Sequence, residues 1–505
     1  MNLSLRFCAA AALLLITGAV QALPLQPDLS QLQSLPLHRA AAPVLPKAEA
    51  PGDKGSPLRV AVKVPLALSL LDGIWDEPEA GTARWRTRIY SSGAKSLALA
   101  FSEASLPQGA ELWLYDQGGK VVQGPYTTAN RNADGRLWTA IVPAETAVLE
   151  LRLPSARKAD AALQLASINY GTRDFEKAAL VPGNSGSCNI DVACAAGDNY
   201  RNEIRAVGVY TVEAGSSVFI CTGQLINNFR QDSTPYFLTA NHCGVTSGNA
   251  NSVMLYWNFQ RNTCGSGTGG LMQSQSGAIF RAADSTADFT LLQLASAPNG
   301  TFNVYYQGFD ASNNAPQSGV AIHHPAGDEK KISVFSAPGT QRNVTIDGRN
   351  TDAWEVFWTQ GTTEQGSSGG GLINQNRRLV GVLSGGAASC DDSSTPTVDE
   401  RTLPDYFGRL TRAWQASTTS GAGQLKAWLD PDNSGALSLC GQNPGVPCDT
   451  ALRTSGTTAP GTIASGGSGS GGAQLAGGSG AFGQMLLGVL AFAALLRRRL
   501  AKAAM

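Results

Sequence analysis

Three residues of this 505-residue chain have the types and neighbours that acyl-transfer chemistry requires. His242 lies in YFLTANHCG, residues 236–244, where apolar and aromatic positions lead into a Thr-Ala-Asn turn. An imidazole there can serve as a general base if a carboxylate fixes its tautomer and a hydroxyl stands within reach. Asp288, in TADFTLLQL, sits at the mouth of a buried alternating strand and is the candidate carboxylate. Ser368, in TEQGSSGGGLI, is the candidate nucleophile. Glycines on both sides of it allow a tight backbone that exposes the hydroxyl, and the Gly366 and Ser368 N–H groups are the expected donors to a developing oxyanion.

Each residue alone has an ordinary explanation: a histidine after a strand is usually structural, an aspartate there usually caps the strand, and Gly/Ser runs are usually linkers. Their order changes the balance. The separations are 46 residues (288 − 242) and 80 residues (368 − 288), which suits two consecutive β-barrels. Of the four histidines, His38 lies in a Pro-rich stretch and His323 and His324 share AIHHPAGDEKK, so only His242 follows an apolar strand and precedes a cysteine. Strand-like segments flank the serine loop closely, WEVFW before it and RLVGVLSGG after it.

The elements that must hold these residues read as short strands. Residues 1–22 combine Arg6, an apolar run and a small-residue site ending Val20-Gln21-Ala22, the form of a cleaved secretory signal. Residues 23–56, rich in Pro, Leu and Ala, are expected to be an extended lead-in. Residues 57–177 alternate apolar and polar positions between turn residues, as in LRVAVKVPLAL and AVLELRLPS, and predict a β-sandwich-like pro-domain without a catalytic cluster. Residues 178–448 carry further strand-like runs, closed by a short helix at GQLKAWLD. A Gly/Ser-rich linker follows over 449–480. An apolar stretch ending in Arg497, Arg498 and Arg499 occupies 481–505 and has the form of a C-terminal sorting tail, slightly short for a full membrane span.

Charge and cysteines narrow the class. Lys and Arg number 38 against 38 Asp and Glu, and no basic stripe interleaves with aromatics, so nucleic acid is not an expected partner. Removing the signal leaves eight cysteines, an even number that predicts disulfides in an exported protein. With no CxxC pair and four histidines, neither a metal site nor a cofactor is expected.

The segments TANHC, ADFTLLQL and GSSGGG, in this order, resemble the chymotrypsin-like serine peptidases. SGSCNIDVAC, CTGQLINN, YFLTANHCG, AIHHPAGDEKKIS, GSSGGG, SGGAASC and DYFGRL resemble more closely the bacterial lysyl endopeptidases, over about residues 185–432. The resemblance implies an all-β, chymotrypsin-like double β-barrel with His242 as base, Asp288 as its orienter and Ser368 as acyl-forming nucleophile. It also implies the disulfides Cys188–Cys390, Cys194–Cys264 and Cys221–Cys243, leaving Cys440 and Cys448 to pair locally. Asp405, in PDYFGRL, matches the residue at the base of the primary (S1) pocket, and Ser384, Gly385 and Gly386 should form its wall, along which substrate pairs as a strand. One departure stands out: Ser384 replaces a family histidine that stacks on a tryptophan, and NVTIDGRNTDA offers no such tryptophan. Lys and Arg therefore both remain open as the preferred residue.

These readings converge on a secreted serine endopeptidase made as a zymogen, cutting after Lys and conceivably Arg through an acyl-enzyme, with Lys177 as a candidate pro-domain cleavage point. Its expected partners are protein or peptide substrates, its own pro-domain, and export and intramembrane sorting machinery, and the expected state is a monomer. The expected location is the surface or surroundings of a Gram-negative bacterium, reached through the periplasm, with the tail as a transient inner-membrane anchor. Two alternatives stand beside this: a catalytically silent, surface-tethered binding protein of the same fold, and a serine peptidase without strict basic preference.

Overall fold

The computed structural model describes residues 25–45, 54–130, 132, 134–173, 185–390, 402–415 and 420–448. Lys177, the signal segment, the Gly/Ser linker and the tail lie outside the described residues. Among those described, nearly all regular structure is β, with helices no longer than six residues, and no helix is long and apolar enough to cross a membrane.

The N-terminal part is a sandwich. One sheet runs Leu37–Ala40, Thr82–Ser91, Thr146–Pro154, Glu111–Asp116, Val122–Tyr126, with Ile74–Glu79 also on Thr82–Ser91. The facing layer is Leu58–Ser69, Ala162–Gly171, Leu97–Ser105 and Leu137–Trp138. Alternation along these strands sends Trp85, Ile89, Leu149 and Leu151 from one layer against Leu97, Leu99, Phe101 and Leu165 from the other.

The lead-in differs from the extended segment expected of 23–56. Leu25, Leu32 and Leu35 bury against Trp113, Tyr115 and Val148, and Leu37–Ala40 adds a parallel edge strand to Thr82–Ser91. Proline and alanine hide the periodicity, but three leucines suffice to pin the segment by burial.

Two barrel-like sheets follow. The first contains Val207–Ala214, Ser217–Ile226, Tyr236–Thr239, Met254–Trp257, Ala278–Asp284 and Phe289–Leu294. The second is built on Gly319–His323, Lys331–Phe335, Thr340–Ile346, Arg349–Val356, Gly371–Asn374, Leu379–Gly386 and Asp405–Arg409. The helices Leu410–Trp414 and Leu425–Leu429 pack Trp414, Leu425 and Leu429 into the apolar cluster shared by both barrels. Four disulfides close the structure, Cys188–Cys390, Cys194–Cys264, Cys221–Cys243 and Cys440–Cys448.

The sandwich and the first barrel share one sheet. Leu58–Ser69 pairs on one side with Ala162–Gly171 and on the other with Ser217–Ile226, in a register that sets Leu58 opposite Ile220 and Val62 opposite Ser217. Beneath this seam Leu58, Val60, Trp138 and Ile141 pack against Val209, Val218, Ile220, Met254 and Tyr256. Tyr256 Oη also accepts the Ile141 N–H at 3.0 Å across the seam. Tyr256→Phe leaves that buried N–H unpaired and is expected to destabilise the chain by about 1–3 kcal/mol, read by denaturant unfolding of an otherwise unchanged protein.

Candidate active site

The two strands that lead to His242 and from Asp288 are neighbours. Tyr236–Thr239 pairs antiparallel with Phe289–Leu294, with Thr239 opposite Thr290. The chain therefore leaves Thr239 toward His242 at the same end at which Asp288 enters, and the Asn241 N–H donates to the Asp288 carbonyl at 3.1 Å. Cys221–Cys243 ties this turn to the strand Ser217–Ile226.

Asp288 is fully buried and grips His242 twice. Its Oδ1 accepts the His242 backbone N–H at 2.9 Å, and its Oδ2 lies 2.8 Å from Nδ1. A carboxylate accepts only, so Nδ1 carries the proton and Nε2 presents its lone pair. Burial pushes the Asp288 carboxyl up, but the facing His242 imidazole, with smaller contributions from Ser384 and Arg349, outweighs it and holds the group below its ordinary range. The His242 Nε2 atom itself has no hydrogen-bond partner among the described residues.

Thr222, beside Cys221, joins the Ser368 loop to this framework. Its N–H donates to the Ser368 carbonyl at 2.9 Å, its hydroxyl donates to the Gly366 carbonyl at 2.9 Å, and Ser368 O lies 3.9 Å from Cys243 Sγ. The other two carbonyls of the loop are also held, Gln365 O by the Ala326 N–H at 2.7 Å and Ser367 O by the Gly370 N–H at 2.8 Å. In a planar trans peptide the N–H points opposite to its carbonyl. Fixing Gln365 O and Ser367 O therefore turns the Gly366 and Ser368 N–H groups the other way, as a pair of donors for an oxyanion requires. Gly366 has φ +96°, and a Cβ there would sit 2.9 Å from Gly327 N, so only glycine fits.

The two histidines set aside from the sequence lie behind this loop. Ser333 Oγ donates to Thr362 O at 2.6 Å, so it accepts from His323 Nε2 at 3.0 Å. His323 Nδ1 then accepts from Ser367 Oγ at 2.8 Å, and Ser367 Oγ accepts the Glu364 N–H at 3.1 Å. This chain of donors uses a neutral ring throughout. His324 stacks on Phe259 and sets its Nδ1 2.9 Å from Asp328 O. Glu364, three residues before Ser367, accepts the Gly186 N–H at 2.8 Å, so the segment next to Cys188 also braces the loop.

Asp405 is fully buried and pairs with Gly386 across the strands Leu379–Gly386 and Asp405–Arg409. Ser384 and Gly385 precede Gly386 on the same strand. Two neighbours that the sequence did not single out hold Asp405 Oδ2: Trp358 Nε1 at 2.7 Å and Thr363 Oγ1 at 2.7 Å. Both lie in WTQGTTEQGSS, the stretch that leads into the serine loop. Asp405 Oδ1 meets the ammonium of Lys54 at 2.8 Å, in a pair with exposures of 0% and 3%. Lys54 was also unforeseen, since it falls in the expected lead-in. Among the described residues no group of three or more His, Cys, Asp or Glu is gathered to hold a metal.

Two barrel-like sheets with a histidine, a buried aspartate and a glycine-framed serine meeting between them describe a serine endopeptidase of chymotrypsin-like fold. Comparison with known proteins carries this further. The family model described as Lysyl endopeptidase, C-terminal domain matches residues 182–408, and that described as Lysyl endopeptidase N-terminal domain matches residues 31–169. The lysyl endopeptidase of Pseudomonas aeruginosa is 31% identical over 393 residues, spanning 73% of this chain and 80% of that relative. The chain belongs to the lysyl endopeptidase family. Among solved structures, the Rv3671c protease of M. tuberculosis in its active form matches at 18% identity and TM-score 0.28, over 41% of this chain and 80% of that one. Deg5 matches at 14% identity and TM-score 0.27, over 43% and 88%.

Burial holds both His323 and His324 well below the ordinary histidine range, His323 at about 3, with the charges of Lys54 and Lys331 adding to the effect on His323. Unfolded, each titrates near 6.5, so the unfolded state takes up protons first and the stability these rings contribute above about pH 6.5 is lost as pH falls toward 3. Denaturant unfolding of Ser368→Ala protein between pH 7 and 4.5 should show this loss, and His323→Gln should make it shallower by about 1.4 kcal/mol per pH unit.

Proposed function

We propose that the protein is an exported endopeptidase that cuts after lysine, with Ser368 as nucleophile, His242 as base, Asp288 as its orienter and the Gly366 and Ser368 N–H groups as oxyanion donors. The observation that carries the specificity is the Lys54 ammonium on Asp405 inside the pocket. A carboxylate this buried favours a cation beside it and penalises a neutral or acidic side chain.

The same geometry favours Lys over Arg. Asp405 Oδ2 is already taken by Trp358 and Thr363, which leaves Oδ1 and the Thr363 hydroxyl, 3.2 Å from Lys54 Nζ, to meet the incoming charge. A point-like ammonium is satisfied by that arrangement, whereas a planar guanidinium gains most from a carboxylate with both oxygens free. In catalysis, Ser368 Oγ adds to the carbonyl carbon of the residue in the pocket and passes its proton to His242 Nε2. The proton then goes to the leaving amine, and water hydrolyses the acyl-enzyme by the reverse relay.

Synthesis as a zymogen is part of this reading, with the N-terminal domain seated against the peptidase barrels and maturation at or near Lys177. So are passage through the periplasm of a Gram-negative bacterium under a cleaved signal at 1–22, and a tail over 481–505 that serves as a transient anchor. The small apolar core and arginine cluster of those segments support this assignment.

The test is cleavage of matched peptides carrying Lys, Arg, Glu or Leu before the scissile bond, by protein freed of its N-terminal domain. Lys is expected to exceed Arg by on the order of 10- to 100-fold in kcat/KM, with Glu and Leu uncut. Equal cleavage at Leu would refute the reading. In the same protein freed of its N-terminal domain, where Lys54 no longer pairs with it, Asp405→Asn should lower kcat/KM for Lys by on the order of 10²–10³, with little change in melting. Ser368→Ala should abolish turnover while its disulfides and fold persist.

A further inference from the structure

Lys54 reaches the pocket in the manner of a substrate. Its side chain ends on Asp405 and Thr363, and Ser368 Oγ donates to its carbonyl oxygen at 3.3 Å. The nucleophile of this chain therefore touches the backbone of the very residue whose side chain fills the pocket. From there the chain runs only three residues, 55–57, before Leu58 enters the sheet opposite Ile220, the residue before Cys221. On the way Ser56 Oγ donates to Asp347 Oδ2 at 3.0 Å. Gly55 passes where a side chain would not fit, since a Cβ there would lie 2.4 Å from Asp347 Oδ2 and 2.9 Å from Ile346 Cγ2.

We propose that the Lys54–Gly55 peptide bond is a processing site cut by Ser368 of the same molecule, and that the cut leaves the N-terminal domain in place. The proposal rests on the lysine-directed reading above and adds to it one bond and an order of events. Ser368 first turns its hydroxyl from Lys54 O toward the unpartnered His242 Nε2. Oγ then adds to the Lys54 carbonyl carbon as the proton passes to His242. The C–N bond breaks, Gly55 nitrogen takes that proton, and Lys54 is left as an ester on Ser368. Water, deprotonated by His242, hydrolyses the ester, giving a Lys54 carboxylate and a free hydroxyl on Ser368.

The cut does not by itself free the domain. Residues from Leu58 onward remain paired with Ser217–Ile220, and the apolar seam under them is untouched. The Lys54 ammonium still has Asp405 after the cut. The segment before Lys54 is held as well, since Leu25, Leu32 and Leu35 stay buried and Leu37–Ala40 stays paired with Thr82–Ser91, so the Lys54 end can leave the pocket without leaving the molecule, and the seam opens later, by a separate event.

The full-length chain should be produced, and its fragments identified after reduction by N-terminal sequencing and mass. Wild type should yield a fragment beginning at Gly55, at a rate unchanged over a 100-fold dilution, in a particle that keeps the size of the uncut chain under native conditions. Ser368→Ala should leave the bond intact, and Lys54→Gln should lower the yield of the Gly55 end at least 100-fold. Lys54→Arg, which keeps the cation, guards against misfolding of the Gln variant and should still give the Gly55 end, more slowly. An intact Lys54–Gly55 bond in protein that cleaves lysine peptides would overturn this proposal and leave the lysine reading standing. Cutting in Ser368→Ala, or a rate that rises with concentration, would assign the cut to another molecule. Failure of the freed peptidase to cut lysine peptides would instead overturn the reading on which the proposal rests.

Discussion

A carboxylate sealed from water has to be met by donors and a positive charge, and the structure around Asp405 is organised by that requirement. Trp358 and Thr363 satisfy one oxygen, and an ammonium satisfies the other. Removing one partner of such a pair typically costs about 3–5 kcal/mol, because the remaining charge stays buried. Lys54, from the N-terminal part of the chain, is thus drawn to Asp405, and in the function proposed above the same electrostatics would select a substrate. Trp358 is in turn fixed by edge contacts with Phe335 and Phe407, so the pocket floor rests on the core of the second barrel.

The strand Ser217–Ile226 transmits order between the parts that surround this pocket. One edge pairs with Leu58–Ser69 of the sandwich, its Cys221 anchors the histidine turn, and the next residue, Thr222, holds the carbonyls of Gly366 and Ser368. His242, Ser368 and the N-terminal domain are therefore referred to a single backbone. Behind the serine, His323 and Ser367 extend the same rigidity into the second barrel by a run of neutral hydrogen bonds. A charge placed on that ring would break the donor order that keeps the loop in place.

The barrels and the grouping of His242 with Asp288 were legible because each depends on local pattern: a short alternating strand, a turn, and a polar residue at its end. Asp405 was legible only through resemblance, since a loop aspartate before an aromatic carries no local mark of burial. Trp358 and Thr363 were hidden for a related reason, as their role comes from the fold of a chain reversal around a distant carboxylate. Lys54 was the least accessible. Its stretch is rich in proline and alanine, and its position is set by pairing between Leu58 and Ile220, 162 residues apart (220 − 58). The lead-in was misjudged on the same ground, because three leucines bury it without making a periodic pattern.

The shared sheet has a further consequence if the N-terminal domain departs in the maturation proposed above. Leu58–Val62 covers the N–H and C=O groups of Ser217–Ile220, and its removal exposes a bare strand edge with Val218 and Ile220 alongside. Such an edge is a template for any extended chain, including the same edge of another molecule. Under the proposed maturation a protected seam would become an adhesive border, and the solubility of the released peptidase at high concentration would depend on how that border is kept occupied.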